Sequence, residues 1–101
     1  MSVSVVWLPE AEAEALEAYY WFEDQQPRLG EAFKAELDEG LKLACEFPLA
    51  FPEAAKGIRS IRLRRFHAYA VYYELIGNRL VIYAVFHGSR DPMELFIRLN
   101  K

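Results

Sequence analysis

Residues 68–88, AYAVYYELIGNRLVIYAVFHG, decide the fold that we predict for this chain of 101 residues. Two runs of β-branched and aromatic residues, 68–76 and 79–86, flank the dipeptide Gly77-Asn78, which is a strong signal for a two-residue hairpin turn. Such a turn also sets which residues oppose each other across the two strands: Ile76 and Arg79, Tyr73 and Ile82, Tyr72 and Tyr83. The stretch is therefore predicted to be an antiparallel hairpin.

This register divides the hairpin into two faces, because side chains alternate along a strand. One face is apolar and is predicted to form the core: Tyr69, Val71, Tyr73, Leu75, Leu80, Ile82, Ala84 and Phe86. The other face carries Ala70, Tyr72, Glu74, Arg79, Val81, Tyr83, Val85 and His87. A preceding strand at 58–63 alternates in the same way. If Ile61 and Leu63 point inward, Arg62 and Arg64 join the second face.

The first half of the chain predicts a strand followed by two amphipathic helices. Residues 2–8 alternate and are rich in valine, whereas apolar residues of 11–22 and 29–44 recur at helical spacing. Pro9 suits the start of the first helix and Pro27 ends it near Gln25. The glutamates of this helix, including Glu14, fall largely outside its apolar stripe and predict a solvated face. Residues 47–57 contain two prolines and predict a loop.

The end of the chain allows a short closing helix. Asp91-Pro92 resembles a helix cap followed by a first helical residue, and Met93, Phe96 and Ile97 would form the buried side up to residue 99. The predicted fold class is α+β with the order β-α-α-β-β-β. A helical hairpin packs on an antiparallel sheet in a single domain, 1–101.

Composition and charge indicate which partners, which cysteine sites and which cellular compartment to expect for this protein. The net charge of -3 combines twelve acids and three bases in residues 1–54 with three acids and nine bases in residues 55–101. The basic half predicts a nucleic acid or an acidic partner, although solvated strands explain it equally well. The single Cys45 excludes an internal disulfide and a cysteine metal site, and its helix predicts a buried small residue. With no signal-peptide pattern and no membrane span, we expect a cytoplasmic protein.

Candidate chemistry lies on the open sheet face and in the turn after the last strand. Arginines interleaved with tyrosines are typical of surfaces that hold single-stranded nucleic acid, and they also suit an acidic peptide or an ordinary half-polar face. His87 and Arg90 could act as acid or base at a phosphate, while a histidine that caps the turn is the simpler interpretation. The two histidines show no metal-ligand pattern, and the dispersed glycines form no phosphate loop, so no cofactor is predicted.

The hairpin and the residues after it resemble the RelE/ParE family of type II toxin–antitoxin toxins. The resemblance rests on 68–75, on Gly77-Asn78, and on VIYAVFHGSRDP at 81–92, with a looser helical match upstream. It implies a small toxin of a plasmid-stabilisation module that is neutralised by a co-expressed antitoxin. The antitoxin's acidic, amphipathic tail would occupy a groove on the helical hairpin and sheet. Uncovered apolar surface would allow the free toxin to form a homodimer, and larger assemblies are expected with the antitoxin. No membrane partner is expected.

Within this family the resemblance favours ParE-like inhibition over RelE-like mRNA cleavage in the ribosome. Arg90 matches a nuclease arginine, and Arg62 and Arg64 represent a basic pair with one residue of slippage. Ala70 stands where the nuclease pattern has arginine, and Phe96 where it has tyrosine. The resemblance thus implies binding and inhibition of a macromolecule such as DNA gyrase, through Arg62, Arg64, Tyr72, Arg79, Tyr83 and Arg90. The alternatives are a ribosome-dependent endoribonuclease built on His87, Arg90 and Arg64, and a non-toxic binding module.

Overall fold

The computed structural model describes residues 3–100 and confirms the predicted α+β order. Its elements are β1 Ser4–Trp7, α1 Pro9–Gln25, α2 Leu29–Glu46, β2 Glu53–Ala55, β3 Ile58–Arg62, β4 Tyr69–Ile76, β5 Arg79–His87 and α3 Pro92–Leu99. The first residue of the predicted N-terminal strand, Ser2, lies outside the described residues, as do Met1 and Lys101. Both helices of the hairpin and the closing helix are present where the sequence predicts them.

The five strands form one mixed sheet in the order β1-β5-β4-β3-β2. β2 to β5 pair in antiparallel fashion, whereas β1 runs parallel to β5. The prediction of a purely antiparallel sheet is therefore wrong at its β1 edge, and the predicted loop 47–57 contains the short strand β2. The direction of β1 leaves no local signal, because β1 reaches β5 only after the chain has passed through both helices. β2 does have one, since the chain turns from β2 into β3 at Lys56-Gly57, where Gly57 has a φ of 78°.

One face of the sheet packs on the helical hairpin and forms the core. Phe33 and Leu37 of α2 and Ala18 of α1 are buried there against Tyr73 and Ile82 of the sheet. The two helices approach each other closely at Gly30, where a Cβ atom would lie 2.5 Å from the backbone oxygen of Tyr19. Cys45 packs against this core but is only half-buried, so the prediction of a buried residue is met in part.

The β4–β5 hairpin follows the predicted register only up to its midpoint. Tyr73 opposes Ile82 as predicted, but Tyr72 opposes Ala84 and not Tyr83. β5 therefore carries one extra residue at Tyr83, which is a β-bulge: two residues of one strand face one residue of the other. The prediction that Tyr72 and Tyr83 oppose each other is wrong for this reason.

The bulge exchanges the faces of the last residues of β5. Val85, predicted for the open face, joins the core, while Ala84 and Phe86 are buried outside the cluster that faces the helices. His87 was also predicted for the open face. Its ring instead lies edge-on to Tyr69, with 4.9 Å between the ring centroids, and Tyr69 packs against that core cluster.

The closing helix α3 docks with a different side from the one predicted. Met93, Phe96 and Ile97 are 56%, 61% and 63% exposed, so they do not form its buried side. Leu95 and Arg98 are half-buried instead. The docked side includes Arg98, which forms an ion pair with Glu14 of α1, and the apolar pattern of α3 gives no sign of this pair.

Candidate functional site

The open sheet face retains both predicted tyrosines, and one of them is bound to a carboxylate. Tyr72 is half-buried between Ser60 and Ala84 in the register of the sheet. The Tyr83 hydroxyl donates a 2.7 Å hydrogen bond to Glu74 Oε1. Burial and this hydrogen bond raise the pKa of Tyr83 to about 12. Tyr83 therefore presents a neutral, fixed ring on this face.

The predicted arginines of the sheet do not meet in one cluster. Arg62 is exposed opposite Ala70, and Arg79 lies opposite Ile76 at the other end of β4. Ala70 and Ile76 are six residues apart on β4, so the two arginines lie about 20 Å apart along the strand. Arg64 is not on the sheet face at all: it lies in the loop after β3, where its backbone N–H donates to Glu36 of α2. The arginines thus form two separate patches.

Arg90 is held in an ion-pair network that sequence patterning did not reveal. Its guanidinium bonds to Glu14 of α1 and Glu94 of α3, and lies 4.4 Å from the centroid of the Phe86 ring. Arg98 also binds Glu14, in bidentate fashion, with N–O distances of 2.9 Å and 3.0 Å. This geometry gives strong charge-assisted bonds and fixes α3 against α1 and β5.

Glu14 is the centre of this network. Its side chain is 12% exposed, and Oε1 also accepts a 3.0 Å hydrogen bond from the backbone N–H of Val85, just after the bulge. Burial alone would raise the pKa of Glu14, but the bonds from Arg98, Arg90 and Val85 lower it below its ordinary value of 4.5. The interpretation of Glu14 as part of a solvated face is therefore wrong. The sequence did indicate that Glu14 is buried, since Glu14 lies three residues after Ala11 and four before Ala18 on the same helical face.

His87 occupies the position of a turn cap. Its Nδ1 accepts a 2.9 Å hydrogen bond from the backbone N–H of Ser89. This bond favours a histidine that caps the turn over one that acts as acid or base at a phosphate. The bulge places His87 on the helix side of the sheet, whereas Arg90 packs on Phe86. Arg64 lies in the loop that rests on α2. The structure does not bring these three candidate catalytic side chains to one point.

Two surface cavities flank α1. The first, which we call the hairpin groove, has a volume of about 520 Å³ and lies between α1 and α2, with Leu16, Tyr20 and Lys34 in its lining. The second, which we call the loop pocket, has a volume of about 570 Å³ and lies between α1, the β3–β4 loop and the end of β5. Trp21, Arg65 and His87 contribute to its walls. Both volumes lie in the range of ligand sites.

Among residues 3–100, no group of three or more histidine, cysteine or carboxylate side chains could hold a metal ion. None of the helices in this range combines the length and apolarity that a bilayer crossing requires.

Comparison with known proteins identifies the family. The family model of the ParE toxin of the type II toxin–antitoxin system parDE matches residues 5–92. Because this match spans most of the chain, the protein belongs to the ParE toxin family. Toxins of this family are one component of a two-component system with an antitoxin.

The fold agrees with a solved relative. A chain of a chromosomal ParDE toxin–antitoxin system from P. aeruginosa superposes with a TM-score of 0.72 at 17% sequence identity, covering 85% of this chain and 96% of that one. At this identity the likeness concerns the fold alone. No curated protein matched the sequence.

Proposed function

We propose that this toxin acts by binding and inhibiting DNA gyrase, without cleaving RNA, and that a cognate antitoxin neutralises it in the cytoplasm. The observation that carries the proposal is the state of Arg90. The one residue that matches a nuclease arginine in the terminal turn is bound to two carboxylates, Glu14 and Glu94. A guanidinium neutralised in this way is a poor phosphate clamp.

RNA cleavage requires an acid or base and a cation that converge on one phosphate. His87 is bound to Ser89 on the helix side of the sheet, and Arg64 belongs to a loop supported by Glu36. Neither side chain forms a hydrogen bond or ion pair with the Arg90 guanidinium, whose partners are Glu14 and Glu94. This arrangement supports an inhibitor that works by contact, and it weighs against the endoribonuclease with a rearranged site.

The proposed target surface is the open sheet face together with the loops that follow β3 and β5. It comprises Arg62, Arg64, Tyr72, Arg79, Tyr83 and Arg90, with Arg90 contributing only after release from its carboxylates. Arg62 and Arg79 are about 20 Å apart along β4. Contacts spread over that length suit the surface of a protein better than a small ligand. Gyrase is the target suggested by the resemblance to ParE-like toxins.

The hairpin groove is the proposed site of the antitoxin's amphipathic segment. Leu16 and Tyr20 are 52% and 62% exposed beside it and offer an apolar surface to a helix. Its rim also carries Glu12 and Asp38. These carboxylates suit basic side chains at that end of the segment, so the predicted acidic residues of the tail are expected to lie outside the groove.

Two assays on the purified chain test the mechanism. We expect inhibition of gyrase-catalysed DNA supercoiling, and no cleavage of mRNA in a ribosome-dependent translation assay. Arg79→Ala should weaken the inhibition, whereas Lys42→Ala removes an exposed charge on α2 and should leave it unchanged. Cleaved mRNA with unimpaired supercoiling would replace the proposal with the nuclease alternative.

Expression in bacteria tests whether the chain is toxic at all. We expect growth arrest when it is expressed alone and normal growth when the antitoxin of its own operon is co-expressed. Unimpaired growth at verified expression would contradict the toxin proposal and favour a non-toxic binding module.

A further inference from the structure

The loop pocket is not used by the proposed gyrase inhibition, and its chemistry is distinctive. Eight of its lining residues are aromatic or charged: Glu17, Trp21, Phe22, Arg65, Phe66, His67, Tyr69 and His87. It lies on the helix side of the sheet, away from the open face. Its cationic side belongs to the β3–β4 loop and its aromatic side to α1 and the ends of β4 and β5.

The β3–β4 loop supplies one wall of this pocket. Arg65 and His67 line the pocket and are exposed, and Arg64 is exposed next to them in the loop, outside the lining. Within residues 3–100, neither Arg64 nor Arg65 takes part in a salt bridge, in contrast to Arg90. These cations are therefore available to an anion from outside the chain.

The loop is rigid enough to present these side chains in a fixed arrangement. The carboxylate of Glu36 accepts hydrogen bonds from the backbone N–H groups of Arg64 and Arg65. The Tyr69 N–H donates to the Phe66 carbonyl at 2.9 Å, and the Phe66 side chain is buried. A loop that is already ordered loses less conformational entropy when a ligand binds.

An exposed aromatic ring stands opposite this cationic wall. Trp21 is 56% exposed, and its ring packs edge-on against Phe22 at 5.2 Å, which orients it on α1. Tyr69 and His87 form a second pair of rings at the pocket. An exposed ring beside free arginines is the combination by which proteins hold unpaired nucleotides, since the ring stacks on the base and the cations contact phosphate.

We propose that the loop pocket binds an unpaired nucleotide of single-stranded nucleic acid. The base stacks on Trp21, the adjacent phosphate contacts Arg65 and His67, and Glu17 accepts a hydrogen bond from an amino group of the base. A duplex is excluded because its bases are stacked on each other and cannot reach Trp21. This binding goes beyond the proposed gyrase inhibition and requires no gyrase.

The direct test measures the fluorescence anisotropy of labelled oligonucleotides of about 12 nucleotides with the purified full-length chain. We expect single-stranded DNA and RNA to bind at least about tenfold more tightly than a duplex of the same sequence. With one phosphate contacted, log K should fall with log salt at a slope of about -0.7.

Variants assign the binding to this pocket. Trp21→Ala and Arg65→Ala should each raise Kd by about fivefold or more, and Trp21→Phe should retain part of the affinity. Lys56→Ala removes one exposed cation from the β2–β3 turn, near the other end of the sheet, and should change Kd less than twofold. Circular dichroism checks that each variant is folded.

Three outcomes would overturn the proposal. Equal affinity for duplex and single strand would indicate unspecific attraction to phosphate. If Lys56→Ala reduced the affinity for the oligonucleotide as much as Arg65→Ala does, the binding site would lie elsewhere. Equal competition by AMP and by the oligonucleotide would show that a free nucleotide is the ligand. Because the assay contains no gyrase, its failure leaves the gyrase proposal standing, and the reverse also holds.

Discussion

At the scale of single residues, Glu14 has the largest effect on how this chain is assembled. One carboxylate on α1 binds two arginines from the C-terminal segment and a backbone N–H of β5. Glu14 thereby accepts a hydrogen bond from the edge of β5 at a point that β1 does not reach, and it also orients α3. A partly buried charge of this kind stabilises a protein only while all of its partners are present.

Glu14→Gln should lower the free energy of unfolding by roughly 2–3 kcal/mol at pH 7, since Arg90 and Arg98 would both lose the most buried of their carboxylate partners. The effect should depend on pH. The folded-state pKa of Glu14 is lowered from 4.5, so its stabilisation is complete above 4.5 and is lost as the pH falls through the folded-state value. Urea unfolding of both proteins between neutral and acidic pH measures the difference.

A matched change at Glu39, which is exposed on α2, provides the control. Glu39→Gln should alter stability by less than about 0.5 kcal/mol. A Glu14→Gln difference that stayed constant down to the lowest pH would show that the charge of Glu14 contributes nothing.

At the scale of secondary-structure elements, two glycines shape the molecule for different reasons: Gly77 in the hairpin turn and Gly30 at the helix crossing. Gly77 has a φ of 63°, and Asn78 is not among the residues with positive φ, which is the pattern of a type II′ turn. At Gly30 the requirement for glycine is steric and does not come from φ. Tyr19 and Glu23 of α1 occupy the space that a side chain would need. Glu23 Oε1 also accepts a 2.8 Å hydrogen bond from the Gly30 N–H.

Gly30→Ala should destabilise the chain by about 2 kcal/mol or more, because the new methyl group would meet backbone and displace Glu23. Gly40→Ala is the matched comparison on the same helix. Its Cβ would meet only Ile61 Cγ2 at 3.2 Å, and the gain in helix propensity offsets much of that crowding. Thermal unfolding of both variants should separate them clearly, and similar melting temperatures would refute a close helix crossing at Gly30.

At the scale of the whole molecule, the rotation of α3 leaves an apolar patch on the surface. Met93, Phe96 and Ile97 lie three and four residues apart on one exposed side of this helix. The other side is held by Arg98, so the helix cannot turn to bury them without breaking ion pairs with Glu14. Exposed patches of this kind are typical of surfaces that meet another protein.

The free toxin should therefore self-associate through α3. Sedimentation velocity should show a mass that rises with concentration for the wild type, and a monomer for the double variant Phe96→Ser/Ile97→Ser. Leu49→Ser is the control, since Leu49 is 67% exposed outside α3. Association that persists in the double variant but disappears in Leu49→Ser would place the contact elsewhere.

Much of the fold could be predicted from the sequence, because its determinants are neighbours in the chain. The Gly77-Asn78 turn, the helical periodicity of 11–22 and the cap at Asp91 are local, and the Asp91 carboxylate indeed accepts a 3.0 Å bond from the Met93 N–H. Even the register near the turn was predicted correctly, since it depends only on the length of the turn. The charge asymmetry of the two halves was equally visible.

The tertiary structure alone decided the bulge at Tyr83, the direction of β1, the rotation of α3 and the partners of Arg90. Each depends on groups far apart in the chain: Glu14 meets Arg90 and Arg98 only after the sheet has returned the C-terminal segment to α1. Local patterning ranks side chains by polarity and so assigns Glu14 and Arg98 to solvent. Pairing reverses that assignment, because two opposite charges that satisfy each other can be buried where either one alone could not.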